Sequence, residues 1–366
     1  MRVLALGPEP YEGFAGIAQG TRDFLNGLAS ANDVESIHLL ARRAPDGGPS
    51  PPSAIISESS EGFAPRYAAR AARLARTGGF DLVFCLHVNL MPVAAAIGRV
   101  FGLPVWLTIH GIEAWEPPRS SWKRRAISSA TLVTSSSRYT RERFLEWARL
   151  PAERVAVNNN PVHLERWGPG PKPAALVERY GLGGKRVLMT LGRMLGGDRF
   201  KGHDEILDVL PELAETHEDV AWLVVGDGPD RARIEERVRT SAVSNRVVFT
   251  GRIADSEKRD HYLVSDAYAL PSTTEGFGIA YLEAAACGLP VLGSSRDGSR
   301  DALADGRMGI LVDPTDRASL LDGLRRLLES PKGVPGELNE FSFEHMSHRM
   351  RSLLESHIAP SRGVAA

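Results

Sequence analysis

The chain has 366 residues, 43% hydrophobic and 24% charged, with a formal net charge of −1 that divides into a cationic first half and an anionic second half. That length exceeds one ordinary compact core and suits two domains, while two cysteines, Cys85 and Cys287, each inside an apolar run, argue against a disulfide framework or a cysteine metal site. No apolar run reaches the ~20 residues that span a bilayer, and the first apolar stretch is too short for a signal peptide, so a cytoplasmic protein is expected.

In chain order, residues 2–7 read as a buried strand. Tyr11-Glu12-Gly13-Phe14-Ala15-Gly16-Ile17-Ala18-Gln19 follows as a glycine-bearing turn opening a helix over 17–30, where backbone N–H groups near Gly16 can meet an anion. The turn lacks the Gly-x-Gly-x-x-Gly spacing of a dinucleotide site, which disfavours a nicotinamide enzyme, and no Walker-type loop occurs. Further strands are expected at 35–40, 81–86, 104–109, 131–135 and 154–157, with helices at 64–77, 92–101, 120–129 and 137–147. His87 and His110 lie just beyond two of these strands; His110, followed by Gly111, is the better placed to hydrogen-bond a substrate. Arg66, Arg70, Arg73 and Arg76, and the basic segment from Arg119 to Arg125, face either an anionic lipid surface, an anionic acceptor or plain solvent.

Gly168-Pro-Gly-Pro-Lys-Pro173 resists both helix and strand and reads as a linker. The alternation then restarts, with strands at 186–192, 220–226, 246–251, 266–270, 290–293 and 309–312. Two doubly wound, Rossmann-like α/β domains facing a cleft are expected, with ligands beyond the carboxyl ends of the strands.

Two constellations carry the chemistry of the second half. Gly192-Arg193 leaves a strand and Lys201-Gly202-His203-Asp204 enters a helix, so two cations can neutralise one diphosphate. Glu275-Gly276-Phe277-Gly278-Ile279-Ala280 opens a helix that carries Glu283, an anion site flanked by two carboxylates suited to sugar hydroxyls. No Asp-x-Asp pair or His/Cys cluster with ligand spacing is found, so no metal and no cofactor beyond a co-substrate is expected.

These segments, with Val225-Gly-Asp-Gly228 and His110-Gly111, resemble over most of the chain the large GT-B family of retaining glycosyltransferases (glycosyl transferases group 1), which includes bacterial mannosyl- and glucosyltransferases of lipid glycans and surface polysaccharides. The resemblance implies an acceptor-binding domain over 1–168, completed by crossover helices at 341–366, and a donor-binding domain over 174–340. It implies Arg193 and Lys201 on the diphosphate of a nucleotide sugar, Glu275 on the sugar, Glu283 on the ribose, backbone of Phe277, Gly278, Ile279 and Ala280 around sugar and phosphate, and His110 near the reacting carbon. The base pocket falls at Arg252 to Lys258, with Ile253 and Lys258 on the donor, and Asp255 there reads equally as an acceptor for guanine or as a helix N-cap. Attack on the face of the departing diphosphate needs no protein nucleophile. Two departures stand out: Ala15-Gly16 where the family has Gly-Gly, and Asn158-Asn-Asn160 where relatives have Pro-Asn-Gly. The implied partners are a GDP-mannose or UDP-glucose type donor and a glycan or glycolipid acceptor, and not nucleic acid; the basic segments add, as one option, peripheral contact with an anionic surface at the inner face of the membrane. A sugar-nucleotide epimerase or a non-catalytic nucleotide-sugar-binding protein of the same fold is the alternative.

Overall fold

The computed structural model describes residues 1–11, 16–43, 49–61, 64–194, 196 and 201–358. It divides into two compact units, Met1–Pro161 with the segment from Phe343 onward, and Val162–Ser342.

Among the described residues the first unit holds β1 (Arg2–Gly7), β2 (Ser36–Ala41), β3 (Ile55–Ser59), β4 (Leu82–Cys85), β5 (Val105–Ile109), β6 (Leu132–Ser135) and β7 (Val155–Val157), ordered β3-β2-β1-β4-β5-β6-β7 and all parallel. Strands such as Leu82–Cys85 are buried at every position because helices cover both faces, which is why they read as unbroken apolar runs. β3 was not expected. It is an edge strand with Ile55 buried and Ile56 57% exposed, so it lacks the apolar run of its neighbours.

The helix Phe343–Leu353 returns to this unit and buries Met346 and Met350 beside Phe24 and Leu28 of the helix Gly16–Ala29. Gly27 permits the approach: a Cβ there would lie 3.1 Å from both the Met346 Cε and the Ser347 Oγ.

The second unit holds β8 (Arg186–Leu191), β9 (Val220–Val225), β10 (Val247–Gly251), β11 (Ala267–Ala269), β12 (Val291–Ser294) and β13 (Ile310–Val312), parallel and ordered β10-β9-β8-β11-β12-β13. Strand order reverses between β8 and β11. The loops leaving those two strands therefore diverge around a crevice at their carboxyl ends, where such sheets bind ligands.

The units part between Pro161 and Val162, ahead of the proline–glycine linker at 168–173. Val162, Leu164 and Trp167 pack on the second core, and the Val162 N–H donates to the Phe341 carbonyl at 2.8 Å. Apolar side chains, not backbone stiffness, fix that boundary. Among the described residues no helix is long and apolar enough to cross a membrane.

Candidate active site

The reversal point of the second unit gathers both constellations. Beyond β8, the Gly192 N–H donates to the Val225 carbonyl and the Met194 N–H to the Asp227 carbonyl, each at 3.0 Å, and Arg193 between them is exposed. Val225-Gly-Asp-Gly228 is the seat of this loop. Gly226, at φ 135°, has the Gly192 carbonyl oxygen 2.0 Å from where a Cβ would stand, and Gly228 has the Met194 oxygen at 2.1 Å. Leu195 and the run Gly197–Phe200 lie outside the described residues. The chain resumes at Lys201, and Gly202, at φ 81°, seats it against Pro271, whose Cγ would lie 2.6 Å from a Cβ.

Lys201 Nζ meets Glu275 Oε2 at 2.5 Å, joining two motifs 74 residues apart in a contact that is about four-fifths buried on both sides. The helix Ile279–Ala286 begins directly after this loop, with Gly278 at its N-cap in the left-handed region (φ 91°). Phe277 and Ile279 send their side chains into the core, Phe277 against Phe341. Their backbone is thus the part offered to a ligand, next to the positive end of the helix.

Glu283, one turn along, is 2% exposed rather than solvated. It accepts from the Tyr262 hydroxyl at 2.9 Å and faces Lys258 Nζ at 3.5 Å. Burial opposes the charge of Lys258, but Glu283 and Asp255 outweigh it and raise its pKa. Asp255 is neither a free acceptor nor a helix cap. Arg166 Nη2 at 2.6 Å and Lys258 Nζ at 2.9 Å engage its carboxylate; burial raises its pKa, and these two cations reverse that and hold it below the usual range. Ile253 packs on the core beside this chain of charges. Glu275 and Glu283 therefore serve separate surroundings, one with Lys201 and one with Tyr262 and Lys258.

His203 and Asp204 of the same motif are scaffold. Asp204 holds both guanidinium nitrogens of Arg233, at 2.8 and 2.7 Å, and pairs with Arg237, tying the helix His203–Thr216 to Arg231–Arg239. His203 is buried and pushed down to about 4 by that burial.

In the first unit His110 directly follows β5 and is 6% exposed. Its Nε2 lies 3.2 Å from the Leu86 carbonyl and 3.4 Å from the hydroxyls of Thr21 and Thr108, whereas its buried Nδ1 has no partner among the described residues. The Glu113 carboxylate takes the His110 backbone N–H at 2.6 Å, orienting the residue. Burial lowers the His110 pKa, so the ring is neutral, with Nε2–H donating to Leu86 and Nδ1 left with a lone pair. His87 instead caps a short helix, its Nδ1 accepting from the Asn89 N–H at 3.1 Å. Gly16 opens its helix with nothing within 4 Å of an added Cβ, and Glu12 to Ala15 before it lie outside the described residues. Of the basic face, Arg70 is clasped by Glu58 at 2.9 and 2.6 Å, while Trp122, in the second basic segment, is 58% exposed.

Tyr262 and Asp297 escaped sequence reasoning. Asp297 is fully buried behind Glu275 and accepts its N–H at 2.7 Å. Its position just past β12, at a strand's carboxyl end, was the available signal; Tyr262 carried none. Among the described residues no group of three or more His, Cys, Asp or Glu is arranged to hold a metal ion.

Residues 178–341 match the family model described as Glycosyl transferases group 1, and residues 14–166 that described as Glycosyltransferase Family 4. The GDP-mannose-dependent alpha-(1-6)-phosphatidylinositol monomannoside mannosyltransferase of Mycolicibacterium smegmatis is 34% identical over 266 residues, covering 67% of this chain and 68% of that protein. The enzyme of the same description from Mycobacterium tuberculosis H37Rv is 31% identical, over 61% of this chain and 60% of that protein. Among solved structures, Anabaena Alr3699/HepE in complex with UDP superposes with a TM-score of 0.79 at 19% identity, covering 97% of this chain and all of that one. The apo lipopolysaccharide outer core galactosyltransferase WaaB does so with a TM-score of 0.75 at 18% identity, covering 97% and 99%. The two structural likenesses establish a shared two-domain fold.

Proposed function

The chain belongs to the glycosyl transferases group 1 family and is a glycosyltransferase; from that premise we propose that it moves a hexose from a nucleoside diphosphate sugar to a glycan or glycolipid acceptor, with retention of configuration and without a metal. The observation that carries this reading is the 2.5 Å contact of Lys201 with Glu275 where strand order reverses, beside the N-terminus of the helix Ile279–Ala286. Cation, carboxylate and helix end supply what the diphosphate, the sugar hydroxyls and the leaving-group charge each require.

In the proposed reaction the acceptor oxygen bonds to the anomeric carbon as the bond from that carbon to the diphosphate oxygen breaks. The acceptor's proton passes to the departing diphosphate on the same face. Arg193, Lys201 and the helix N-terminus stabilise the negative charge that develops there, Glu275 holds the sugar, Glu283 holds the ribose, and neutral His110 contributes a hydrogen bond near the reacting carbon. GDP-mannose is the proposed donor, supported by the mannosyltransferases at 34% and 31% identity, with UDP-glucose as the competing choice. Their names also support a lipid-linked acceptor, and exposed Trp122 among Arg119, Lys123 and Arg125 supports peripheral contact with an anionic membrane.

Incubation with GDP-mannose, UDP-glucose, UDP-galactose and UDP-N-acetylglucosamine, with and without a lipid-linked glycan acceptor, tests the reading through nucleotide release and product anomer. One donor should respond, and only with acceptor present. A new sugar nucleotide formed without acceptor marks an epimerase, and donor binding without turnover marks a binding protein. Silence towards every nucleotide sugar refutes the donor site.

A further inference from the structure

Behind the Glu275 loop lies a buried tripeptide, Asp297-Gly298-Ser299, that holds the backbone of this loop. Asp297 and Gly298 are fully enclosed, and Asp297 spreads its carboxylate over two backbone donors: Oδ2 takes the Glu275 N–H at 2.7 Å and Oδ1 the Ser299 N–H at 3.0 Å. The Gly298 N–H donates to the Glu275 carbonyl at 2.9 Å, so residue 275 is held at both its N–H and its C=O from one turn. Gly298 lies so close that a Cβ would fall 2.2 Å from the Gly276 oxygen and 2.8 Å from the Glu275 oxygen. Ser299 extends the clamp to the helix, its hydroxyl 2.9 Å from that of Tyr281, which donates to the Leu270 carbonyl at 2.6 Å where β11 ends.

A buried carboxylate is costly unless it is hydrogen-bonded or paired. Burial pushes Asp297 up to about 6, against the hydrogen bonds from Ser299 and the Glu275 N–H. The neighbouring Glu275 charge opposes its ionisation further, while Lys201 faces Glu275 from the far side and Tyr281 stands beside both. Arg296, next in the chain, is turned away to Asp313 at 2.9 Å. A core carboxylate kept for packing alone would be replaced without loss by an apolar residue. This one fixes the backbone from which Glu275 reaches Lys201.

We propose that Asp297 is a positioning residue of the donor site, setting the Glu275 peptide so that its carboxylate meets the transferred sugar. The inference rests on the donor-site reading above and adds a residue that acts through Glu275 without touching substrate. It separates sugar recognition from nucleotide recognition, because the diphosphate is met by Arg193, Lys201 and the helix end, none of which Asp297 holds directly.

The test compares wild type with Asp297→Asn, whose amide turns an N–H2 towards one of the two backbone donors. Calorimetry gives Kd for GDP and GDP-mannose, with UDP and UDP-glucose as the second pair, and turnover is followed from pH 5 to 8. The expected variant binds the nucleoside diphosphate within about twofold of wild type, binds the nucleotide sugar at least tenfold more weakly, and loses the acid limb that ionisation of Asp297 gives to kcat/KM. Should Asp297→Asn not fold, Ser299→Ala removes the side-chain hydrogen bond that Asp297 receives from Ser299 and the tie to Tyr281, and is expected to give a smaller loss of the same selective kind. An unchanged ratio of nucleotide-sugar to nucleotide affinity with an unchanged pH profile, in a variant that folds, overturns the positioning role alone. A wild type that binds neither pair overturns the donor-site reading and this inference with it.

Discussion

Tyr262→Phe isolates one hydrogen bond at the ribose end of the site. The ring is wholly buried and packs edge-on against Trp167 and Tyr268 at 5.7 and 5.8 Å between centroids, contacts that phenylalanine keeps. Only the hydroxyl is lost, and with it the 2.9 Å bond to Glu283 Oε2. The Glu283 side chain is 3% exposed, so water does not replace the donor freely. Hydrogen bonds to a charged group contribute about 1.5–3 kcal/mol, and that is the expected loss of folding stability. Binding suffers separately. With the Tyr262 hydroxyl gone, Lys258 at 3.5 Å is the remaining side-chain partner of Glu283 among the described residues and draws the carboxylate towards itself. Ribose must then compete for a carboxylate that was previously held in place, at a cost of about 1 kcal/mol, or roughly fivefold in Kd. Calorimetric titration of GDP and its 2′,3′-dideoxy analogue reads the effect: the preference for ribose over dideoxyribose should shrink in the variant. A lowered melting temperature with an unchanged preference would show that Tyr262 serves only the core and that Glu283 does not meet the sugar of the nucleotide.

Lys201→Ala and Glu275→Ala are each expected to abolish measurable turnover, and the double variant to be no worse than either single one, since the two act as a unit; wild-type rates in either would remove both from the site. Gly226→Ala drives a Cβ to 2.0 Å from the Gly192 oxygen at an unfavourable φ, so about 1–3 kcal/mol of overpacking adds to about 1–2 kcal/mol of backbone strain, and a melt of the variant matching wild type would contradict the seat assigned to the Arg193 loop. His203, pushed down to about 4 by burial, binds its proton more weakly folded than unfolded, so the stability that its neutral form contributes is present above about 6.5 and is lost as pH falls towards 4. Relative to His203→Leu, wild type should lose about 3 kcal/mol across that window, and parallel pH–stability curves would refute the assignment.

Most of the scaffold was legible because parallel strands covered on both faces must be apolar throughout. Runs such as Val220–Val225 and Val105–Ile109 announce themselves, whereas β3, buried at Ile55 alone, does not. The polar segments between strands and helices stood out for a related reason: charges and glycines in such loops have few structural excuses, and Arg193 after β8, Lys201 ahead of the helix His203–Thr216, and Glu275 and Gly278 ahead of the helix Ile279–Ala286 all stand in them. What single residues could not reveal is how the charges are shared. Asp255 has the composition of a base acceptor or a cap, yet 89 residues separate it from Arg166, which claims its carboxylate. Glu283 has the spacing of a solvated helix face, yet Tyr262 and Lys258 enclose it. In each case the deciding partner is brought in by tertiary packing and leaves no periodic trace in the chain. Asp297 is the limiting example. Its hold on the Glu275 loop passes through a backbone N–H group, and because every residue but proline carries one, no pattern of side chains marks the place where a buried carboxylate is needed.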